Sequence, residues 1–243
     1  LLREGKEEFG TLISEEMGKP YKQSIAEVEK CAWVCEYYAD NAEKFLANKD
    51  IETEASNSFV SYQPIGIVLA VMPWNFPFWQ VFRFAVPALM AGNGGILNHA
   101  SIVLGCAQAI EDIFTAADFP DNLFKNLVIG SDKVENVIKN PLVKAVTLTG
   151  STPAGKAVAS LAGSMLKKTV LDLGGSDPYL ILEDADLDQA VNACIAGRML
   201  NTGQSCIAAK RFIVVETCRD EFTDKVTKKI KNMNMGDPLD STI

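Results

Sequence analysis

The sequence predicts an α/β fold: a doubly wound parallel sheet, followed by the first part of a second α/β unit. Two observations point to it. From residue 65 onward, short and nearly continuous apolar runs alternate with stretches of helical spacing, which is how parallel strands covered on both faces read. After Gly174-Gly175 the same alternation starts afresh. A chain of 243 residues that is 48% hydrophobic is long enough to bury a real core.

The elements follow in order. Phe9, Leu12, Ile13 and Met17 give residues 1–17 a helical spacing, and Gly18-Lys19-Pro20 breaks it. A second helix puts Ile25, Val28, Cys31, Cys35, Tyr38 and Ala42 on one face. Residues 48–64 turn to Ser, Thr and Asn with alternating Phe59, Val60 and Tyr62, the pattern of an extended arm. Strands are expected at 65–72, 95–97, 123–129, 143–148 and 169–173, with helices at 78–90, 102–117, 132–139 and 152–166 between and around them. The second unit reads as strand 179–182, helix 187–200, strand 212–215 and helix 221–233. Ligand sites in such sheets lie beyond the carboxyl ends of the strands.

Bulk properties exclude several classes. A net charge of −8 offers no general attraction to nucleic acid or to an anionic membrane. The longest apolar run, 65–72, falls short of the roughly 20 residues that span a bilayer. No leader pattern opens the chain, which predicts a cytoplasmic protein. The six cysteines (31, 35, 106, 194, 206 and 218) form no Cys-x-x-Cys pair and stand far from the single histidine, His99, so no metal site is expected. Leu at position 1 and the closing turn chemistry of Gly236-Asp237-Pro238-Leu239 predict a piece of a longer chain.

Four segments could carry chemistry. Cys206, in Asn201-Thr202-Gly203-Gln204-Ser205-Cys206, follows a helix and a polar turn. An activated thiolate there would be a strong nucleophile, but a cysteine can equally pack as a small hydrophobe. Asn75, in Pro73-Trp74-Asn75-Phe76-Pro77, could donate its amide to a developing oxyanion, or could satisfy its own turn. Thr149-Gly150-Ser151-Thr152 joins a strand to a helix and offers either a pyrophosphate site or an ordinary N-cap. Asp172, before Leu173-Gly174-Gly175, is either a general base or a solvated strand-end charge. The G-x-G-x-x-G dinucleotide fingerprint is absent.

Taken together, Pro73-Trp74-Asn75-Phe76-Pro77, Gly92-Asn93, Leu148-Thr149-Gly150-Ser151-Thr152, Leu173-Gly174-Gly175 and Gly203-Gln204-Ser205-Cys206 resemble the aldehyde dehydrogenase superfamily in order and spacing. The resemblance covers essentially the whole chain, and residues 201–212 look most like bacterial succinate-semialdehyde dehydrogenases. It implies a dinucleotide-binding domain at 1–47 and 65–174, an oligomerisation arm at 48–64 and a partial catalytic domain at 175–243. It also implies NAD or NADP as cofactor, a small aldehyde as substrate and a homo-oligomer in the full-length form. Cys206 would attack the aldehyde, Asn75 and the Cys206 N–H would hold the oxyanion, and Asp172 would activate water against the thioester. Trp74, Asn98, Gly150, Ser151, Leu173 and Gly174 would meet the cofactor, with Ser151 at the pyrophosphate. Arg83 matches a position where semialdehyde enzymes hold a substrate carboxylate, though a surface arginine on a helix reads the same way.

The chain departs from that pattern in four respects. Asp172 stands where the family has a glutamate, which draws the carboxylate back by roughly 1 Å and can cost on the order of 100-fold in rate. Asn98 stands where a lysine usually meets the adenosine ribose or its phosphate. Family members also continue well past residue 243, so the unit from about Ser176 onward is expected to expose sheet edges and apolar surface. Leu200 occupies a second substrate-arginine position of some semialdehyde enzymes. The alternative to an active oxidoreductase is therefore a truncated, impaired relic that keeps at most cofactor binding. A third reading makes Cys206 and His99 a cysteine hydrolase.

Overall fold

The computed structural model describes residues 1–240, so the last three positions of the expected 175–243 unit lie outside the described residues. Two helices lead, α1 (Lys6–Met17) and α2 (Tyr21–Leu46). Gly18 ends α1 in the left-handed region at φ 73°, and its N–H caps Ser14 O, a conformation that glycine adopts without steric cost. The buried stripe of α2 is Ser24, Glu27, Val28, Cys31, Ala32, Val34 and Ala42. It differs from the sequence expectation by taking in Glu27, while Ile25, Cys35 and Tyr38 are only half-buried. A carboxylate can sit there because Lys19 and two backbone N–H groups meet it. Residues 48–64 form an exposed arm in which β1 (Lys49–Asp50) pairs antiparallel with β2 (Phe59–Val60).

The central part alternates β3 (Ile67–Met72), α3 (Trp79–Met90), β4 (Gly94–His99), α4 (Leu104–Ala116), β5 (Phe124–Asn126), α5 (Ser131–Lys139), β6 (Val143–Gly150), α6 (Thr152–Ser164) and β7 (Lys168–Leu173). The five strands are parallel in the order β5-β4-β3-β6-β7. Because successive strand side chains point to opposite faces, Ala70 and Met72 join Val28, Phe78, Phe82 and Ile110 in one core. Leu69 joins Ile138, Val146, Leu148 and Val158 in the other. Helices α1–α4 thus cover one face and α5 and α6 the other. Gly155 lets α6 approach β7: a Cβ there would stand 2.6 Å from a Leu173 methyl.

The expectation of full two-sided cover fails at β7. Residues 168–171 are exposed, Val170 at 67%, because β7 is the outermost strand beyond β6. The expected strand at 123–129 shortens to Phe124–Asn126.

The second unit holds β8 (Pro178–Ile181), α7 (Leu187–Met199), β9 (Arg211–Val214) and α8 (Arg219–Lys231). β8 and β9 pair parallel in a sheet of their own. Ile181, Val191, Cys194, Ile195 and Phe222 make a small core beneath it. Its other side leaves Leu180 exposed at 65% and Ile213 at 49%, as the sequence leads one to expect. The helix expected to reach residue 200 ends at Met199 and passes into a 3-10 turn, Leu200–Gly203. Among the described residues no helix is long and apolar enough to cross a membrane.

Candidate functional site

The strand order sets the place of the site. The chain moves outward from β3 to β4 to β5 and then returns to lay β6 on the far side of β3. Brought back this way, the sheet has its switch point between β3 and β6, where a crevice opens at the carboxyl ends. A cleft of about 420 Å³ lies there. Pro73, Trp74 and Asn75 leave β3 into it, Thr149 and Gly150 end β6, and Asp172, Leu173 and Gly174 end β7. Gly203, Gln204, Ser205 and Cys206 close it from the second unit.

The Cys206 segment is strained. Asn201, Thr202 and Gly203 are all left-handed, at φ 56°, 57° and 77°. Such a conformation costs on the order of 1–3 kcal/mol for each non-glycine residue and persists only where neighbours fix it. The neighbours are hydrogen bonds. Asn201 N–H donates to Gln23 Oε1 at 2.8 Å, and Asn201 Nδ2 donates to Asn75 O at 2.6 Å and to Gln204 O at 3.2 Å. Asn75 Nδ2 donates to Gln204 O at 2.7 Å, and Lys210 Nζ holds Cys206 O. Among the described residues nothing accepts from the Cys206 N–H, and the buried Ser205 hydroxyl has no partner. Cys206 itself is half-buried.

The Asn75 segment is fixed from beneath. Glu27 Oε1 accepts the Phe78 and Trp79 N–H groups, each at 2.9 Å, and so satisfies orphan donors at the start of α3. The other Glu27 oxygen pairs with Lys19 in a fully buried ion pair, and Lys19 Nζ stands 3.9 Å from the Phe76 ring centroid. Burial pulls the Lys19 pKa below the lysine range, with Glu27 opposing it. His99 Nδ1 accepts the Ala100 N–H at 3.0 Å, which leaves Nε2 to donate to Pro77 O at 2.9 Å. Burial lowers the His99 pKa, so the ring is a neutral, fully engaged core group. That arrangement removes the reading of His99 as a base for Cys206.

Asp172 lines the cleft, but its Oδ2 is 2.6 Å from Arg83 Nη2. The same guanidinium nitrogen lies 2.6 Å from Gln80 Oε1 and 3.3 Å from Thr149 Oγ1. Two residues assigned separate roles by resemblance thus meet each other, at the boundary with a neighbouring hollow of about 690 Å³. Ser151 is the N-cap of α6, its Oγ accepting the Ala154 N–H at 3.4 Å. No acidic residue stands in that first turn, and an added Cβ at Gly174 would meet nothing within 4 Å. A helix start of this kind beside an open glycine backbone fits a dinucleotide pyrophosphate, although Pro153 removes one donor. Asn98 lies apart from the cleft, its Nδ2 donating to Leu127 O at 3.2 Å and Ile129 O at 3.0 Å. Its amide N–H groups hold the β5 connection.

Trp74, Asn75, Gly150, Asp172, Leu173, Gly174 and Cys206 therefore share one cleft, with Ser151 next in sequence, Arg83 reached through Asp172, and Asn98 elsewhere. Residue-by-residue reasoning missed Gln23, Lys19, Glu27 and Lys210. The legible signal was a glutamate set among the apolar positions of α2, four residues before Cys31.

A family model described as the aldehyde dehydrogenase family matches residues 1–243. A probable succinate-semialdehyde dehydrogenase [NADP(+)] of Synechocystis sp. is 54% identical over 242 residues, covering 100% of this chain and 53% of that protein. A succinate-semialdehyde dehydrogenase [NADP(+)] of Mycobacterium avium is 49% identical, over 99% of this chain and 52% of its own. Among solved structures, the Streptococcus pyogenes succinic semialdehyde dehydrogenase in complex with NADP+ superposes with a TM-score of 0.96 at 39% identity, covering 98% of this chain and 52% of that one. The chain spans about half the length of the curated relatives it matches.

Proposed function

The chain belongs to the aldehyde dehydrogenase family, and we propose that the whole protein oxidises a small carboxylated aldehyde, of the succinate-semialdehyde kind, to the acid with NADP⁺ or NAD⁺. The observation that carries the reading is the meeting of Asn75 and Cys206 in one cleft, where Asn75 Nδ2 bonds Gln204 O at 2.7 Å. An amide nitrogen has two protons, so one fixes the loop and the other remains for an oxyanion. The uncommitted Cys206 N–H is the second donor.

In this reading Cys206 attacks as the thiolate: its sulfur forms a bond to the aldehyde carbon while the carbonyl electrons move to oxygen, where the two N–H donors stabilise them. A bound nicotinamide would supply the hydride acceptor for that carbon, and Cys206 would then carry the thioester. Gly150, Ser151 and the first turn of α6 would hold the cofactor's pyrophosphate, with Trp74, Leu173 and Gly174 lining the way to Cys206. Water then cleaves the C–S bond, its proton passing to Asp172, and the acid departs.

Arg83 gives this scheme its substrate class. A guanidinium fork suits a carboxylate, and the fork is now occupied by Asp172. A substrate carboxylate arriving at Arg83 displaces Asp172 and so releases it to serve the thioester. The relatives named for succinate semialdehyde and NADP(+) support both choices. Residues 48–64, with Phe59, Val60 and Tyr62 exposed, are proposed as an oligomerisation arm, 1–47 with 65–174 as the dinucleotide-binding domain, and 175–243 as part of a catalytic domain.

A second reading, an impaired form that binds cofactor without turnover, draws on the shortened Asp172 carboxylate held by Arg83 and on the engaged Asn98 amide. Stopped-flow absorbance at the reduced-cofactor band separates the two. Mixed with succinate semialdehyde and NADP⁺, the protein is expected to give a burst near one equivalent. Cofactor binding without a burst would leave only the second reading.

A further inference from the structure

We propose that α2 is the alignment strut of this site: Gln23 and Glu27, one helical turn apart, are positioning residues that hold the Cys206 segment and the Asn75 segment in register. The proposal rests on the reading of Cys206 as nucleophile and Asn75 as oxyanion donor, and it adds residues to which neither the motifs nor the cleft lining points.

Neither Gln23 nor Glu27 lines the cleft that holds Cys206. Each instead grips the backbone of one segment that does. Gln23 Oε1 takes the Asn201 N–H at 2.8 Å, at the first of three consecutive left-handed residues. Glu27 Oε1 takes the Phe78 and Trp79 N–H groups at 2.9 Å, where the Asn75 segment enters α3. Residues four apart share a helix face, so one rigid element of 26 residues supplies both grips. The two segments are then tied directly, Asn201 Nδ2 to Asn75 O at 2.6 Å and Asn75 Nδ2 to Gln204 O at 2.7 Å. The result is a closed ring: α2 to Asn201, Asn201 to Asn75, and Asn75 through α3 back to α2.

The ring explains two otherwise costly features. A strained run at 201–203 needs neighbours that over-determine it, and at the fully buried Asn201 they are the hydrogen bonds to Gln23, Asn75 and Gln204, while Thr202 is exposed. A carboxylate and an ammonium are buried together at Glu27 and Lys19, an arrangement that contributes little net stability but defines geometry. Both side chains are almost wholly removed from water, a desolvation that pulls the Lys19 pKa down while Glu27 opposes it. Register at this scale matters because a misplacement of about 1 Å at a reacting centre costs on the order of 100-fold.

Gln23 carries the test, since substituting Glu27 would strand the buried Lys19 charge and unfold the region. In the full-length protein, Gln23→Ala is expected to slow the reduced-cofactor burst roughly 10-fold, a part of what a full 1 Å shift would cost, with cofactor Kd unchanged. Gln23→Glu keeps the acceptor and should restore the rate to within about 2-fold. In an Asn75→Ala background Gln23→Ala should cost nothing more, because the two act through one linkage. An unchanged burst in Gln23→Ala, or a full additive loss on top of Asn75→Ala, overturns the proposal. Hydrogen exchange gives a readout independent of turnover: Gln23→Ala should speed exchange over residues 199–206 and 73–79 and leave β4 unchanged. If the wild-type protein gives no burst, the proposed function falls while the exchange result still decides the strut. Faster exchange at both segments upholds it, and unchanged exchange sinks it.

Discussion

The two α/β units of this chain solve the same packing problem to different degrees. In the five-stranded sheet, β3 and β4 are clothed on both faces, and Leu69, Ala70 and Leu97 are fully buried. In the two-stranded sheet, α7 and α8 cover one side while Leu180 and Ile213 stand open on the other. The site straddles this difference. Asn75 rises from the end of a strand set in the finished core, with Phe78 and Phe82 buried just beyond it. Cys206 follows a left-handed run in the lighter unit, whose buried Asn201 is tied by hydrogen bonds to Gln23 and Asn75. The lesson is that one half of the proposed reacting geometry rests on an apolar core and the other on a buried polar side chain with a few directional bonds.

The largest expected effect lies in the heavier unit. Phe82→Ala removes a buried ring stacked near Phe78 and Phe114 and should cost about 3–5 kcal/mol in denaturant unfolding. Leu180→Thr places a β-branched, strand-compatible residue on the open face of β8 and should change stability by no more than about 0.5 kcal/mol. A loss of about 2 kcal/mol at Leu180 would break the contrast and mean that this face is covered in solution.

Next in size is Asn75→Ala. Removing this proposed oxyanion donor is expected to slow acylation by roughly 10²–10³, read from single-turnover kinetics. It should also loosen residues 201–206 in hydrogen exchange, because Asn75 bonds Gln204 O and receives Asn201 Nδ2. A rate loss without the loosening would separate catalysis from positioning.

Asp172→Glu sharpens the comparison on the β7 side. Lengthening the side chain should raise steady-state turnover by up to about 100-fold while leaving the burst unchanged, since in the proposed scheme only thioester hydrolysis uses the base. Equal effects on both phases would mean that the Arg83 pairing, rather than reach, limits the residue.

The smallest effect is a pH dependence. Burial lowers the His99 pKa below its ordinary 6.5. As pH falls through 6.5 the unfolded chain binds a proton that the folded chain does not, so stability drops with falling pH, by at most about 1.4 kcal/mol per pH unit. Denaturant midpoints measured from pH 7 to pH 5, above the range of the paired carboxylates, should fall in the wild-type protein and flatten in His99→Asn. A flat wild-type profile would contradict the buried neutral ring.

Much of the larger unit was legible because its signals are local. Apolar runs marked β3 and β6, and Gly150 and Gly174 marked the strand ends that open on the cleft. The exposure of β7 was not legible, because its Thr169-Val170-Leu171 run reads as buried and only the strand order makes it an edge. The motifs named the residues of the site but not their partners. Nothing in the order of residues pairs Arg83 with Asp172 or Gln23 with Asn201, since those contacts follow from how α2, α3 and β7 converge. Asn98 is a further case of partners the sequence does not name: its amide N–H groups donate to Leu127 O and Ile129 O.

The central claim, that Cys206 and Asn75 form one acylation site, is tested most directly by intact-mass and peptide analysis. The full-length protein is mixed with succinate semialdehyde and NADP⁺ and quenched in acid within the burst. The account predicts a succinyl thioester confined to the peptide that carries Cys206, absent in Cys206→Ser and sharply reduced in Asn75→Ala. An adduct on another residue, or one whose yield is indifferent to Asn75, would contradict it.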